Sequence, residues 1–422
     1  MQKASKVKVE NMPYDLLIIG GGASGMMAGA VASSRGKNVL ILEKNKALGE
    51  KLKITGGGRC NITNAEFDTR VLLKKYGEAE QFLYSPFSQF GVKETFSYFE
   101  SRGLPLVIQA RNRAFPATEK AFDVYNVLYQ ELLKNNVTIK TGCYVKKIIK
   151  VDGHIDGVET NLGIFKAGSY LLATGGMSHP ETGSTGDGFK WLSDLGHTVH
   201  EPTPTIVPLA VKEEWVKTLA GVSLSFMKIT FNLEGKKVFS KTGKVLFTHF
   251  GLSGPLILNS AKSVDALLQT GGIVTAEIDA YPDTNLGALD DMLIKAFDTH
   301  KNKILKNILK EFLPEGITPG FRLLLTEEEL ETKVHSITVE LRKKIGRLLK
   351  ALPVTIAHLM GYDRAVVADG GVVLDEIDMR TMRSKLFDNL YITGDLLHVN
   401  RSSGGYSLQL CWTTGFVAGN SI

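Results

Sequence analysis

The amino-acid sequence predicts an α/β fold: a Rossmann-like nucleotide-binding domain that carries an inserted β-barrel domain and a helical subdomain. Three observations predict it. A complete strand–turn–helix–strand unit ending on an acid occupies Tyr14–Glu43, the apolar period changes twice in mid-chain, and an apolar strand followed by a glycine turn and a helix returns at Leu390. With 422 residues the chain exceeds one ordinary core, so two or three domains are expected.

In the first unit, Leu16–Ile19 is an apolar strand, Gly20-Gly21-Gly22-Ala23-Ser24-Gly25 a turn, the stretch to Arg35 a helix and Val39–Leu42 a second strand. Gly20 makes the tight bend, Gly22 lets backbone approach a pyrophosphate, and Gly25 lets the helix lie close on the strand. Ala23 and Ser24 open the helix, whose free N–H groups and positive dipole end face the phosphates. Glu43, about 20 residues on, accepts hydrogen bonds from a ribose hydroxyl pair. The unit binds a nucleotide and by itself leaves FAD and NAD open.

Lys44–Asn64 follows as a glycine-rich binding loop, in which Gly56–Gly58 suit a main chain lying against something flat or phosphorylated. Residues 76–135 read as helices broken by Arg111–Thr118. Strands from Val137 form a meander that ends in Tyr170–Thr174 and Gly175-Gly176, where a strand end meets a ligand. A helix starts near Asp187, and the prolines of Glu201–Pro208 mark a crossing between domains after residue 203. Residues 204–280 alternate as short strands of a small antiparallel barrel, KKVFS and KTGKVLFTHF among them. Residues 281–352 switch to helical spacing, KNKILKNILKEFL included, and 353–375 return to the barrel. The nucleotide domain resumes at 376–422, with the strand YITGD ending in Asp395, a turn at Gly404-Gly405 and a helix over Ser407–Gly419.

Apolar content of 43% and charged content of 22% are those of a soluble globular protein, and no apolar run reaches the roughly 18 to 20 residues of a membrane span. The first 13 residues carry charge without an apolar core, which argues against a secretory signal, predicts a loose tail and makes Met12 an alternative start. Cys60, Cys143 and Cys411 are widely spaced and odd in number, as reduced thiols of a cytoplasmic protein are, and no CxxC or Cys/His cluster suggests a metal. The net charge of +6 is mild and spread out.

GGGASG with Glu43, KITGGGRCN, LLATGG, THFGLSGP and YITGD…SSGGYSLQLCWTTGFVAG together resemble the BaiN-like family of FAD-dependent oxidoreductases over nearly the whole chain. The resemblance implies FAD as the cofactor and three parts: an FAD domain, a β-barrel domain and a helical domain. The cofactor-binding positions are then Gly20, Gly22, Ala23, Ser24, Gly25 and Glu43; Lys44, Gly58, Arg59, Cys60 and Asn61 behind them; Val145; Ala173, Thr174 and Gly175; and Asp395 with Gly405. An acid after the last strand accepts a hydrogen bond from the ribityl chain. The helix from Ser407 points its positive end at the pyrimidine edge of the flavin, where the reduced state is anionic. His398 stands where the family commonly has an acid, and Ser407 where it has Asn. A weaker resemblance to the fumarate reductase and succinate dehydrogenase flavoproteins sets their NRLGGN against Asn400-Arg401-Ser402-Ser403-Gly404-Gly405, and implies Arg401 as proton donor or carboxylate clamp.

A flavin moves a hydride at N5, so the protein must supply a dry pocket, a substrate clamp and a proton donor or acceptor. His249 in THFGLSG is the first candidate because histidine titrates near working pH, with His179 and His398 as alternatives. Cys60 has no second cysteine nearby, so it reads as a packed thiol and not as half of a redox pair. Only one complete dinucleotide unit is present and FAD takes it; NAD(P)H therefore docks transiently, or another donor or oxygen takes its place. The expected reaction is NAD(P)H-driven reduction of a C=C or similar bond in a small organic substrate. The alternatives are a flavin oxidase or dehydrogenase without nicotinamide, and a non-catalytic flavin protein that binds RNA or a protein through lysine-rich helices at His300–Lys310 and Leu341–Lys350. Basic helix faces without interleaved aromatic residues are ordinarily solvated, which makes nucleic acid the weaker expectation. Nothing in these motifs speaks to oligomeric state.

Overall fold

The computed structural model describes residues 9–422, with side chains from Tyr14 onward. It divides into two compact units: the chain up to Thr203 with Val366–Ile422, and Pro204–Ala365.

The first unit is built on a seven-stranded sheet. Its first elements are β1 (Val9–Ile19), α1 (Ala23–Ser34), β2 (Val39–Leu42), α2 (Glu50–Ile54), α3 (Ala121–Lys134) and β3 (Thr138–Lys140). Then come the antiparallel strands β4 (Val145–Val151) and β5 (His154–Thr160), the long β6 (Gly163–Leu172) and α4 (Asp187–Leu195); β7 (Val367–Val372), β8 (Leu390–Ile392) and α5 (Tyr406–Ser421) complete it. The order across the sheet is β3-β2-β1-β6-β5-β4, with β8 beside the end of β6. All four residues of β2 are buried, as the unbroken apolar run VLIL requires of a parallel strand covered on both faces. Parallel pairing sets Leu42, Ile19, Leu172 and Ile392 side by side, so four strands end on one line.

α1 is buried from Ser24 to Ser33, which its small, apolar sequence MMAGAVA allows on every side. α5 lies against it at backbone distance. A Cβ on Gly415 would stand 2.5 Å from the Ser24 carbonyl oxygen, and one on Gly419 2.5 Å from that of Ala28. The second unit is a closed six-stranded barrel formed by Leu209–Val211, Ser223–Leu233, Lys236–Thr248, Gly251–Ser253, Val274–Asp279 and Leu352–Leu359, with the helices Leu286–Thr299 and Val339–Lys350 between its last two strands.

Several local expectations change. The loose tail lies outside the described residues for 1–8, whereas Val9 and Glu10 extend β1 and pair with Ile164 and Phe165. KKVFS and KTGKVLFTHF form one strand. KNKILKNILKEFL is two short 3-10 turns, Leu305–Asn307 and Leu309–Glu311, and not a helix. Its apolar residues are buried at helical spacing, but the backbone there bonds across the chain: the Leu305 N–H donates to the Thr332 carbonyl at 2.9 Å, and that of Val334 to the Lys303 carbonyl at 2.9 Å. The Lys44–Asn64 loop contains α2 and a 3-10 turn, Thr55–Gly58. The last helix begins at Tyr406 and reaches Ser421. The chain re-enters the first unit at Val366, earlier than the expected residue 376, because β7 is fully buried there and packs beside the segment after β8; the His398 N–H donates to the Val372 carbonyl at 2.9 Å.

The close approach of α5 to α1 gives a direct test. Gly415→Ala is expected to lower unfolding stability by about 1–3 kcal/mol through overpacking against the Ser24 backbone. Chemical denaturation checks it, and an unchanged midpoint would contradict the contact.

Candidate functional site

Because the four parallel strands end in register, the residues that follow them share one edge: Glu43 after β2, Gly20 after β1, Ala173 after β6, and Asp395 after β8. Gly20 is the tightest point. Its φ is +105°, its N–H donates to the Leu42 carbonyl at 2.9 Å, and a Cβ on it would stand 2.6 Å from the Ala173 carbonyl oxygen. A Cβ on Gly25 would sit 2.0 Å from the Gly20 oxygen, so both positions exclude any side chain. Gly22 is the reverse: a Cβ there meets nothing within 4 Å, and α1 starts beside it without a side-chain cap. Open space next to a bare helix N-terminus, with the N–H groups of Ala23, Ser24 and Gly25 lacking intrahelical acceptors, is a cradle for a diphosphate.

Glu43 is 8% exposed. One carboxylate oxygen accepts the Gly21 N–H at 2.8 Å and the other the Asn45 N–H at 2.8 Å, which fixes the group at the end of β2. The Cys143 N–H donates to the Glu43 carbonyl at 2.9 Å, and this brings Val145, half-buried at the start of β4, to the same end of the edge. On the other side, Lys44 pairs with Asp187 at 2.8 Å and donates to Thr185, while the Asn45 amide donates to the Thr182 carbonyl at 2.9 Å. These contacts stitch the loop after β2 to the glycine loop after β6, where Gly175 has φ +73° and Thr174 is half-buried.

At the β8 end Asp395 pairs with Arg401, whose side chain is 2% exposed. The Arg401 Nη1 donates to the Val399 carbonyl at 2.8 Å and Nε to the Ser407 hydroxyl at 2.9 Å, so three of the five guanidinium N–H groups have partners within the chain. Ser407 lies in the first turn of α5, which starts at Gly405 (φ +102°) without a side-chain cap. A Cβ on Gly405 would be 2.3 Å from the Thr63 carbonyl carbon, so only glycine fits. Burial by itself would raise the Asp395 pKa, but Arg401 and then Lys51 outweigh it and hold the carboxyl below its ordinary range.

A family model for the HI0933-like protein Rossmann domain matches residues 14–421. The chain belongs to the HI0933-like family. It is 32% identical to the 3-dehydro-bile acid delta(4,6)-reductase of Clostridium scindens over 96% of this chain and 98% of that protein. It is 28% identical to the ribosomal RNA dihydrouridine synthase of Escherichia coli over 97% and 98% of the two chains. Among solved structures, the 3-ketosteroid-delta4-(5alpha)-dehydrogenase of Rhodococcus jostii RHA1 shares the fold, with a TM-score of 0.55 at 13% identity over 97% of each chain. The BaiN-like resemblance and the Rossmann-like fold class therefore hold, and the HI0933-like chain is an FAD-dependent oxidoreductase.

In this HI0933-like chain several residues of the glycine-rich loop turn their side chains inward. Arg59 lies over the Phe115 ring at 4.5 Å, donates to Gln109 at 2.8 Å and pairs with Glu119. Cys60 is fully buried, and burial pushes its thiol up to about 12 despite a hydrogen bond with Thr55. The Asn61 amide oxygen accepts the Gly405 N–H at 2.9 Å and its nitrogen donates to the Thr63 and Ala114 carbonyls. Gly58 (φ +84°) stands next to open space and leaves the backbone there accessible. His179 is on the loop after β6, 2.8 Å from Glu181. His398 packs its ring 4.4 Å from that of His200, and its buried Nδ1 has no hydrogen-bond partner. His249 belongs to the barrel unit, exposed in the turn between two strands with its ring against Phe250.

Lys51 and Ser178 were not singled out from sequence. The Lys51 ammonium donates to the Ser178 hydroxyl at 2.5 Å and stands 3.7 Å from Asp395. The only signal was a lysine five positions before the three glycines of the loop. Among the described residues no three His, Cys, Asp or Glu side chains gather as a metal site, and no helix is long and apolar enough to cross a membrane.

Two outcomes follow from the site electrostatics. Cys60 is fully buried and its thiol is pushed up to about 12, so it should not react with Ellman's reagent at pH 8 faster than the protein unfolds, in contrast to the half-buried Cys411; rapid labelling of Cys60 would contradict the packing. Asp395, depressed in the folded state, contributes stability that is complete above the unfolded carboxyl pKa of about 3.9 and is lost as pH falls through the lower folded value. Denaturation midpoints should therefore drop more steeply below about pH 4 for the wild type than for D395N.

Proposed function

We propose that this flavoprotein saturates a C=C bond conjugated to a carbonyl in a small organic molecule, with NAD(P)H docking transiently as the electron donor. The observation that carries the reading is the pair of full-length relatives, each named for adding hydrogen across a C=C bond. One name describes a delta(4,6)-reductase acting on a 3-dehydro bile acid, a ring ketone beside unsaturation, and the other a synthase of dihydrouridine, a uridine whose ring double bond is saturated next to a carbonyl. The presence of a single complete dinucleotide unit supports transient docking of nicotinamide.

FAD bound at this edge supplies hydride chemistry. The chain's own part begins with holding it. The first-turn N–H groups of α1 receive the diphosphate, Gly22 leaves the room, and Glu43 faces the ribose with a carboxylate already oriented by two backbone N–H groups. At the far end the buried guanidinium of Arg401, held by Asp395, Ser407 and Val399, supplies positive charge near where negative charge develops as the alkene is reduced. His179, oriented by Glu181, delivers the proton. Arg401 itself is the other donor on this edge.

A second reading takes an RNA base as the alkene, favoured by the ribosomal RNA dihydrouridine synthase names. Against it, the basic helix at Val339–Lys350 is largely compensated within the chain: Arg342 pairs with Asp290, Lys344 with Glu329 and Lys350 with Asp279, each at 2.7 Å.

Anaerobic stopped-flow mixing of the FAD-loaded protein with NADH and NADPH tests the reading. Rapid, saturable bleaching by one of them is expected, followed by reoxidation with a steroid enone. H179A should slow that reoxidation at least tenfold while leaving bleaching intact. No bleaching by either nucleotide would remove nicotinamide from the reaction, and reoxidation by unmodified ribosomal RNA alone would select the second reading.

A further inference from the structure

Lys51 and Arg401 reach the same carboxylate. Asp395 pairs with Arg401 and stands 3.7 Å from the Lys51 ammonium, and the three side chains are 25% exposed for Lys51, 16% for Asp395 and 2% for Arg401. Among the described residues no second acid lies within ion-pair distance of either cation; Glu181, on the loop that carries Ser178, is hydrogen-bonded to His179 at 2.8 Å. Two cations against one acid leave these three side chains with one net positive charge, which the more distant and exposed Glu181 offsets only in part, in a place where a charge acts more strongly than it does in water. Its position is held: Ser178, 1% exposed, anchors the ammonium, and Ser407 anchors the guanidinium to the first turn of α5.

The strand order says which part of the cofactor meets this charge. Along the edge, Glu43 follows β2, the open cradle at Gly22 follows β1, Ala173 follows β6 and Asp395 follows β8. A dinucleotide with its ribose at Glu43 and its diphosphate at Gly22 extends its remaining, redox-active half toward β6 and β8, which is where the surplus charge sits.

Resting on the assignment of FAD to this edge, we propose that Lys51 sets how readily the bound cofactor is reduced. The net charge of the Lys51–Asp395–Arg401 group, added to the positive end of α5, favours the cofactor state that carries more negative charge. Lys51 is the adjustable member. Arg401 is locked by three partners, whereas the ammonium stands at the looser distance and is the most exposed of the three.

The test is the midpoint potential of the full-length, FAD-loaded protein, titrated against indicator dyes, for the wild type, K51M, K51R and D395N. K51M is expected to be at least tenfold harder to reduce, about 30 mV lower for a two-electron couple, with K51R close to the wild type. D395N releases both cations from their shared acid and is expected to shift in the opposite direction. If K51M does not fold, the sign of the D395N shift decides. An unchanged potential in K51M with FAD fully bound overturns the proposal. So does loss of FAD from K51M and D395N alike, which would assign the charge to holding the diphosphate. A wild-type chain that takes up no FAD would overturn the flavoprotein assignment itself, and this proposal with it.

Discussion

The approach of Gly20 to the Ala173 backbone is the constraint on which the rest of the site depends. With φ at +105° and a carbonyl oxygen 2.6 Å from where a Cβ would be, the position admits no other residue. The turn it makes lets α1 start directly behind β1, and Gly25, equally crowded against the Gly20 oxygen, keeps the helix there. Any side chain at either position would push α1 away from the sheet, and the bare N–H groups would no longer face the strand ends.

From that point the edge acquires a polarity. Its β2 end carries the Glu43 carboxylate, held by backbone donors and suited to sugar hydroxyls; its β8 end carries two cations sharing one acid beside the positive end of α5. Between them lies a stretch of glycine turns whose job is room and not charge. The two ends of the edge therefore differ in the chemistry they offer: a fixed carboxylate at one and a cation-rich group at the other.

The first unit was legible in the sequence because every signal in it is local. The glycine turn, the flanking apolar runs and the acid on schedule all fall within Tyr14–Glu43, and the same holds for the alternation that announced the barrel. Signals that depend on distant chain were not legible. The segment around Leu305–Glu311 has helical spacing, yet its backbone bonds to Thr332 and Val334, which no window centred on it can foresee. Arg59 and Asn61 sit in a glycine-rich motif, while the direction of their side chains is decided by Phe115, Ala114 and Gly405. Lys51 looked like any loop lysine because its partners, Ser178 and Asp395, arrive from the ends of two later strands.

The packing of α5 on α1 has a consequence for biosynthesis. The two helices meet through Gly415 and Gly419 at contact distance, yet they lie at opposite ends of the described chain, with the whole of Pro204–Ala365 between them. On the ribosome α1 and the strands around it are made first, and they must wait with an apolar helix face uncovered while the barrel unit, which has a core of its own, emerges and folds. The layer that holds α1 is thus finished only once α5 has been made, and until then its apolar surface stays exposed to whatever else can bind it.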